Sequence, residues 1–305
     1  MLRVESGVED SPLSRNKEQI MEKIGIGIIG GSGIYNLKNI EIIEEINIDT
    51  PFGKPSSEYV IAKLNGIRIV FLPRHGRHHT ISPSNLNFRA NIYGFKKLGV
   101  KTLISMSAVG SLREKIKPGH LIFPNQIIDR TKVRESSFFD ENIVAHIGFS
   151  KPFCHYLNNL LSDVAFELGI PFHSKKCYLC MEGPAFSTKA ESLFHRSIDA
   201  DIIGMTAIPE AKLAREAEMC YGIIAMATDY DSWHESEEAV TTSMVLETLH
   251  KNSDTANRML SGIVKKIESI ECECNKSLET AIITDKKYWD ENSIKKLGVI
   301  IERFL

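Results

Sequence analysis

The stretch EKIGIGIIGGSGIY, residues 22–35, carries Gly25, Gly27 and Gly30 in the G-x-G-x-x-G spacing of a dinucleotide-binding turn. In such a turn the glycines follow a strand and open a helix. Here Ile24, Ile26, Ile28 and Ile29 lie inside the match, so Gly25 and Gly27 are expected within the strand itself. The turn proper is Gly30-Gly31-Ser32-Gly33, and the next periodic run, Ile40-Glu41-Ile42-Ile43-Glu44-Glu45-Ile46, reads as another strand rather than a helix. This context argues against a nicotinamide or flavin cofactor. What remains is a loop of small residues whose N–H groups and Ser32 hydroxyl suit an anion, or a plain tight turn between strands.

From there outward, strand-like and helix-like runs alternate. Residues 67–72 read as a strand and 85–98 as a helix with Leu86, Ala90, Tyr93 and Leu98 near helical spacing. A buried strand over 102–106 is expected to end at Ala108-Val109-Gly110-Ser111-Leu112. Helices are expected over 157–168, closed by Gly169, and over 189–197 and 209–218. A strand over 221–227 has Thr228 and Asp229 at its tip, 240–267 is mostly helical, and a last amphipathic helix runs over 292–304. No Pro/Gly/Ser-rich linker or repeat interrupts the chain. The expected fold is α/β, a single domain with a mixed central β-sheet flanked by helices. Its bounds are 23–280, between a disordered extension over 1–22 and a helical C-terminal extension over 281–305.

The bulk numbers exclude several classes. A net charge of −2 over 305 residues gives no basic footprint for nucleic acid. No apolar run reaches the ~18 residues of a membrane span, and the N-terminus has no secretory h-region, so a cytoplasmic location is expected. Six cysteines in a chain of this length do not make a disulfide scaffold. Cys177-x-x-Cys180, preceded by His173, lacks a second cluster of matching spacing, so it reads as buried strand cysteines and no metal site is expected. Cys272-x-Cys274 lies in a charged segment expected to be exposed, as a redox pair, a cross-link or two plain thiols.

Five segments at predicted strand ends concentrate chemistry. Besides the glycine loop, Arg74-His75-Gly76-Arg77-His78-His79 offers guanidinium forks and imidazoles for phosphate; it also reads as a solvated basic loop. Ser107-Ala108-Val109-Gly110-Ser111 sets a hydroxyl beside close N–H groups, and without G-x-S-x-G it is no serine-hydrolase elbow. Glu182-Gly183-Pro184-Ala185-Phe186-Ser187 presents a ring that suits either stacking or core packing. Gly204-Met205-Thr206 leads into Pro209, placed for the first turn of a helix. Asp229 and Asp231 end an apolar strand, where carboxylates need partners; a ring nitrogen and an exocyclic amine would serve, as would a helix cap.

Together and in order, these segments resemble the trimeric purine nucleoside phosphorylase family, and within it the branch that uses 5′-methylthioadenosine. The resemblance is carried by Gly30-Gly31-Ser32-Gly33, Asp49-Thr50-Pro51-Phe52-Gly53-Lys54-Pro55, Arg74-His75-Gly76-Arg77, Gly110-Ser111-Leu112-Arg113, Glu182-Gly183-Pro184, Phe186-Ser187, Met205-Thr206 with Pro209-Glu210, and Ala225-Met226-Ala227-Thr228-Asp229-Tyr230-Asp231. It spans about Lys23 to Lys266 and implies a purine nucleoside phosphorylase-like fold and a homotrimer. The implied reaction is attack of phosphate on the anomeric carbon of methylthioadenosine, releasing adenine and 5-methylthioribose 1-phosphate. No cofactor is implied, since phosphate is itself a substrate. The other readings are a broader phosphorylase acting on adenosine or 6-oxopurine nucleosides such as methylthioinosine, and a non-catalytic nucleoside-binding protein.

The resemblance also implies site roles. Phosphate falls to Ser32, Arg74, His75, Ser107, the Ala108 backbone and Thr206. Ribose falls to Met205, and the base to Phe186, Ser187, Asp229 and Asp231, with Asp229 the candidate for protonating the leaving purine. The 5′-methylthio pocket falls to His79, Thr242, Val245, Leu246 and His146, the last supplied by a neighbouring subunit. Relatives that take 6-oxopurines carry Phe-Glu and Asn where this chain has Phe186-Ser187 and Asp229, which favours adenine here. Ser32 and Ser107 stand where Thr is usual, Ala185 replaces Arg or Ser, and Thr242 stands where close relatives have Val. Some archaeal members share a C-terminal Cys-x-Cys and use disulfides, and Cys154 and Cys220 match positions that are often cysteine. No disulfide is expected in this chain.

Overall fold

The isoleucine run is strand β1, Ile26–Gly30, buried at every position. The computed structural model describes residues 24–31, 40–234, 243, 247–248, 253–267 and 271–305; the expectations for residues 1–22, Ser32, Thr242, Val245 and Leu246 lie outside them. Gly27 and Gly30 fall in β1 and Gly25 one residue before it. Gly27 is there for space: a Cβ would stand 2.9 Å from the side chains of Phe95 and Val100. Glycine lets helix α1, Phe88–Lys97, lie against the strand.

The remaining strands are β2 Ile40–Ile46, β3 Tyr59–Leu64, β4 Ile67–Pro73, β5 Thr102–Ser111, β6 Leu121–Arg130, β7 Phe172–Met181, β8 Ile202–Gly204 and β9 Cys220–Asp229. They form one mixed sheet in the order β2-β3-β4-β1-β5-β8-β7-β6-β9, and β5 pairs again with β9, closing the second half into a ring. Among the described residues the other α-helices are α2 His155–Glu167, α3 Lys189–Ser197, α4 Ala207–Glu216, α5 Ser253–Val264 and α6 Glu291–Leu297. All ten residues of β9 are buried, as expected for a strand covered on both faces.

Register positions the site. Strands β4, β1, β5 and β9 run parallel, so their C-terminal ends share one edge. Strand β8 runs antiparallel to β5, with Gly110 opposite Ile203. Continuing that register carries Met205 and Thr206 back toward Ala108 and Ser107.

Several boundaries correct the sequence reading. Helix α1 starts at Phe88, not at residue 85, because Pro83–Asn85 forms a 3₁₀ turn and the Asn87 side chain caps the helix by accepting from Ala90 N–H at 3.1 Å. Strand β5 continues to Ser111, so the 107–111 segment is strand rather than a loop leaving one. Thr228 and Asp229 belong to β9. Helix α4 ends at Glu216 and contains non-helical Ile208 (φ −113°, ψ 132°) beside Pro209. Within 240–267 the described helix is α5. The single helix expected over 292–304 is α6 followed by short 3₁₀ turns, because Gly298 sits at φ +46°. Residues 281–305 are not peripheral: Leu297, Ile300 and Ile301 are buried in the main core with Tyr93. Cys274, expected exposed, is buried and Cys272 half-buried.

Gly204 gives a direct test of this packing. A Cβ there would lie 1.9 Å from the buried Tyr178 hydroxyl. Gly204→Ala is expected to lose about 1–3 kcal/mol of stability in urea melts. Adding Tyr178→Phe, which removes the clashing oxygen, is expected to recover only part of it, because the ring Cζ would still stand 2.7 Å from the new Cβ.

Candidate active site

Arg74 leaves the end of β4 and turns into the protein. Its Nε and Nη2 bind the buried carboxylate of Glu210, Nη2 donates to Ser105 Oγ (2.6 Å) and Ile29 O (3.3 Å), and Nη1 donates to Met106 O (3.2 Å). Ser105 Oγ and Tyr221 Oη also donate to Glu210, at 3.1 and 3.0 Å. Burial works against the Arg74 charge, and the facing carboxylate more than offsets it. A fixed cation thus sits beneath the ends of β1, β4 and β5.

His75 stands next to it. Its Nδ1 is 2.9 Å from Ile81 O, which can only accept, so Nδ1 carries the proton and Nε2 offers a lone pair. Burial, then the Arg74 charge, lowers its pKa to about 4, so the imidazole is neutral at pH 7. Neutral Nε2 can accept from the hydroxyl of a hydrogen phosphate ion. His79 stacks on this ring with centroids 4.4 Å apart. Ser107 Oγ lies 3.4 Å from Thr206 Oγ1, as the β5–β8 register requires, and Ala108 is opposite Met226. Arg74, Ser107, Ala108 and Thr206 are thus brought to one stretch of β5, with His75 next to Arg74 in the chain.

The His75 shift fixes a sign. The unfolded chain takes up this proton near pH 6.5 and the folded one only near 4, so stability is lost as pH falls between these values. Wild type minus His75→Gln, followed by urea melts, is expected to decline by roughly 3 kcal/mol over that window and to be flat above it. A flat difference throughout would mean His75 titrates normally.

The second cluster lies farther along β5. Asp229 is buried; its Oδ2 accepts from Thr228 Oγ1 (2.7 Å) and its Oδ1 from Asp231 N–H (2.8 Å). Asp231 is buried and accepts from Ser192 Oγ. Burial raises its pKa, opposed by the hydroxyl of Ser192, the amide of Ser232 and the hydroxyl of Ser187. Gly110 makes the room: a Cβ there would be 3.1 Å from Asp229 Oδ1 and 3.2 Å from Asp231 Cβ. Ser187 is buried, and its carbonyl accepts from Ser232 Oγ at 2.6 Å, tying the 182–187 turn to the chain after β9. Phe186 beside it is 43% exposed.

One residue of this frame escapes the sequence reading. Arg134, with a side chain 1% exposed, pairs with Glu182 and donates to Met205 O (2.6 Å), Ile208 O (2.7 Å) and Glu182 O (2.6 Å). It staples the Met181–Glu182 end of β7 to the Met205–Ile208 link. In sequence it lies in Lys132-Val133-Arg134-Glu135, which looks like solvated charge. Glu210 and Ser192 were equally unsignalled as partners. His146 is exposed; its amide donates to Ala281 O (2.8 Å), and among the described residues it shares no hydrogen bond with either cluster. Two open surface clefts, of about 580 and 640 Å³, contain none of these site residues.

A family model described as the phosphorylase superfamily matches residues 25–265. The chain is similar to the S-methyl-5′-thioadenosine phosphorylase of Geobacter sulfurreducens, 49% identical over 287 residues covering 93% of this chain and all of the relative. It is similar to that of Nitrosopumilus maritimus at 48% over 263 residues, covering 86% and 99%. Among solved structures it superposes on a methylthioadenosine phosphorylase from an Antarctic soil metagenomic library with TM-score 0.86 and 40% identity, covering 90% of this chain and 98% of the other. The Schistosoma mansoni methylthioadenosine phosphorylase bound to adenine matches with TM-score 0.79 and 34% identity, covering 84% and 96%.

Proposed function

The chain belongs to the phosphorylase superfamily, and from that premise we propose that it cleaves S-methyl-5′-thioadenosine with phosphate. The products are adenine and 5-methylthioribose 1-phosphate. The observation that carries this reading is the placing of two chemistries along one strand. The cation and hydroxyls of Arg74, Ser107 and Thr206 lie at one point of β5, and the Asp229 carboxyl lies beside Gly110. The match to S-methyl-5′-thioadenosine phosphorylases along nearly their full length supports the choice of nucleoside.

In this reading an oxygen of hydrogen phosphate attacks C1′ as the C1′–N9 bond breaks, and the bond pair leaves with the purine. Arg74, neutral His75, Ser107, the Ala108 backbone and Thr206 hold the dianion under the sugar, where positive charge develops. Ser32 would complete that set. Met205, held through its carbonyl by Arg134, packs on the ribose, and Phe186 covers the base. The Asp229 carboxyl spans N7 and the 6-amino group, sharing the proton N7 needs as it leaves, with Ser187 and Asp231 supporting it. With the proton on the oxygen facing N7, the other oxygen is an acceptor facing position 6, which suits an amino group and repels a 6-oxo group, so inosine-type nucleosides are disfavoured. His79, Thr242, Val245 and Leu246 are assigned to the 5′-methylthio end, with His146 from a neighbouring subunit. Phosphate is a reactant, so catalysis calls for no separate cofactor. The enzyme is read as a cytoplasmic homotrimer in purine and methionine salvage. Among the described residues, no helix is long and apolar enough to cross a membrane, and the exposed Phe186, Leu193 and Phe194 offer apolar surface for a subunit contact.

The test is release of free base from methylthioadenosine, adenosine and inosine, each with and without phosphate. Phosphate-dependent adenine release, fastest from methylthioadenosine, is expected. A preference for inosine would overturn the role of Asp229. Binding without turnover would overturn the enzyme reading, and a monomer mass in sedimentation would overturn the trimer.

A further inference from the structure

Four cysteines that the proposed reaction does not use meet at one place. Cys154 caps the N-terminus of α2, Cys220 opens β9, and Cys272 and Cys274 lie at the 3₁₀ turn Glu273–Lys276. Their four sulfurs all lie within 4.8 Å of one another. Cys154, Cys220 and Cys274 are buried and Cys272 is half-buried. The backbone holds each strand of the cluster in place. Cys154 N–H donates to Tyr221 O (2.9 Å), Cys220 N–H to Lys101 O (2.8 Å), and Ser277 Oγ to Cys274 O (2.6 Å). The wall around them is apolar, from the core that contains Leu157, Leu161, Met259 and Ile263.

Thiols are weak hydrogen-bonding groups, and packing four of them face to face gains little over packing methyl groups. The same four sulfurs as thiolates form the ligand set of a tetrahedral soft cation. Zinc–sulfur bonds of about 2.3 Å place neighbouring sulfurs about 3.8 Å apart in a tetrahedron. The sulfurs here span from 2.6 Å, between Cys220 and Cys272, to a limit of 4.8 Å, so the tetrahedral spacing falls inside the range. Binding asks the closest pair to open by about 1 Å. Cys272 is the one half-buried member, so the cluster meets solvent on that side.

We propose that Cys154, Cys220, Cys272 and Cys274 bind a structural zinc ion. Each Cys–SH loses its proton to solvent and donates a sulfur lone pair, with no change of oxidation state. All four positions are filled by protein, so the ion has no open coordination site and takes no part in phosphorolysis. Its effect is mechanical. It joins α2 and β9 to the segment from 271 onward, which Leu278 N–H also anchors to Glu218 at 3.0 Å and which bridges Ala145 through Ile282.

The experiment uses the full chain, expressed with zinc and purified without air. Elemental analysis is expected to find one zinc per chain. Cobalt exchanged for it is expected to give sulfur-to-cobalt charge-transfer bands and the strong visible bands of a tetrahedral centre. Cys274→Ser and Cys154→Ser are expected to weaken zinc retention about tenfold or more against a chromophoric chelator, whereas Cys177→Ser, outside the cluster, leaves it unchanged. Stripping zinc is expected to lower the melting temperature. Metal-free protein that takes up no cobalt would overturn the proposal, as would an intact mass showing these cysteines joined as disulfides in place of metal. If the serine variants fail to fold, the metal content and cobalt spectrum of the unaltered chain decide the matter.

Discussion

Asp229→Ala is expected to lower kcat/KM for methylthioadenosine by about 10²–10⁴-fold, the range for loss of a positioned proton-transfer group, while phosphate binding measured by calorimetry stays within a few-fold. The two effects separate because Arg74, Ser107 and Thr206 lie elsewhere on the strand ends, whereas Asp229 is held by Thr228 and by the Asp231 amide. Asp229→Asn sharpens the test. It keeps the shape but replaces one acceptor oxygen by an N–H donor, which then faces the 6-amino donor of adenine. Adenine release is expected to fall with it, and the ratio of inosine to methylthioadenosine activity to rise. An alanine variant within tenfold of wild type would show that another group carries the leaving purine's proton.

Glu210→Ala is expected to cost about 3–5 kcal/mol in urea melts, because it leaves the buried Arg74 guanidinium without its counter-charge. Ser105 and Tyr221 lose their acceptor in the same step. Arg74→Met with Glu210→Leu removes both charges and is expected to recover most of that stability. It is not expected to recover function. KM for phosphate should stay raised in the paired variant, because the cation under the anion site is gone. Recovery of both stability and phosphate affinity would make the Arg74–Glu210 pair a purely structural feature.

The sequence was most legible where structure is local. Helix α3 falls on Lys189–Ser197 as expected, and its start is fixed by a capping box between Thr188 and Glu191, residues close in the chain. Strand β2 matches for a similar reason. Strands β5 and β9 were read too short because Ser107, Gly110 and Asp229 are poor strand formers. Pairing with neighbours on both sides overrides that preference. Strand β6 gave no signal, since Pro124 and Asn125 interrupt it and the β6–β7 register shifts there. The segments proposed for phosphate and purine stood out because each packs several polar groups into a few residues. Arg134 and Ser192 did not, because their partners lie 39 to 74 positions away along the chain. Cys272-x-Cys274 stood out as a pair, but Cys154 and Cys220 lie too far along the chain for the sequence to show that all four meet.

The pairing of Gly110 with Asp229 and of Ser107 with Thr206 makes β5 a ruler. Three residues separate its two marks, about 10 Å at the rise of an extended chain. That is of the order of the reach from a phosphate beneath C1′ to the far edge of a purine. Inside that interval the β5–β9 register shifts between Val109 and Gly110, so Thr228 is the extra residue that brings Asp229 opposite Gly110. In the proposed reading, the choice of nucleoside turns on the side chains at the two marks, while the strand between them sets the length.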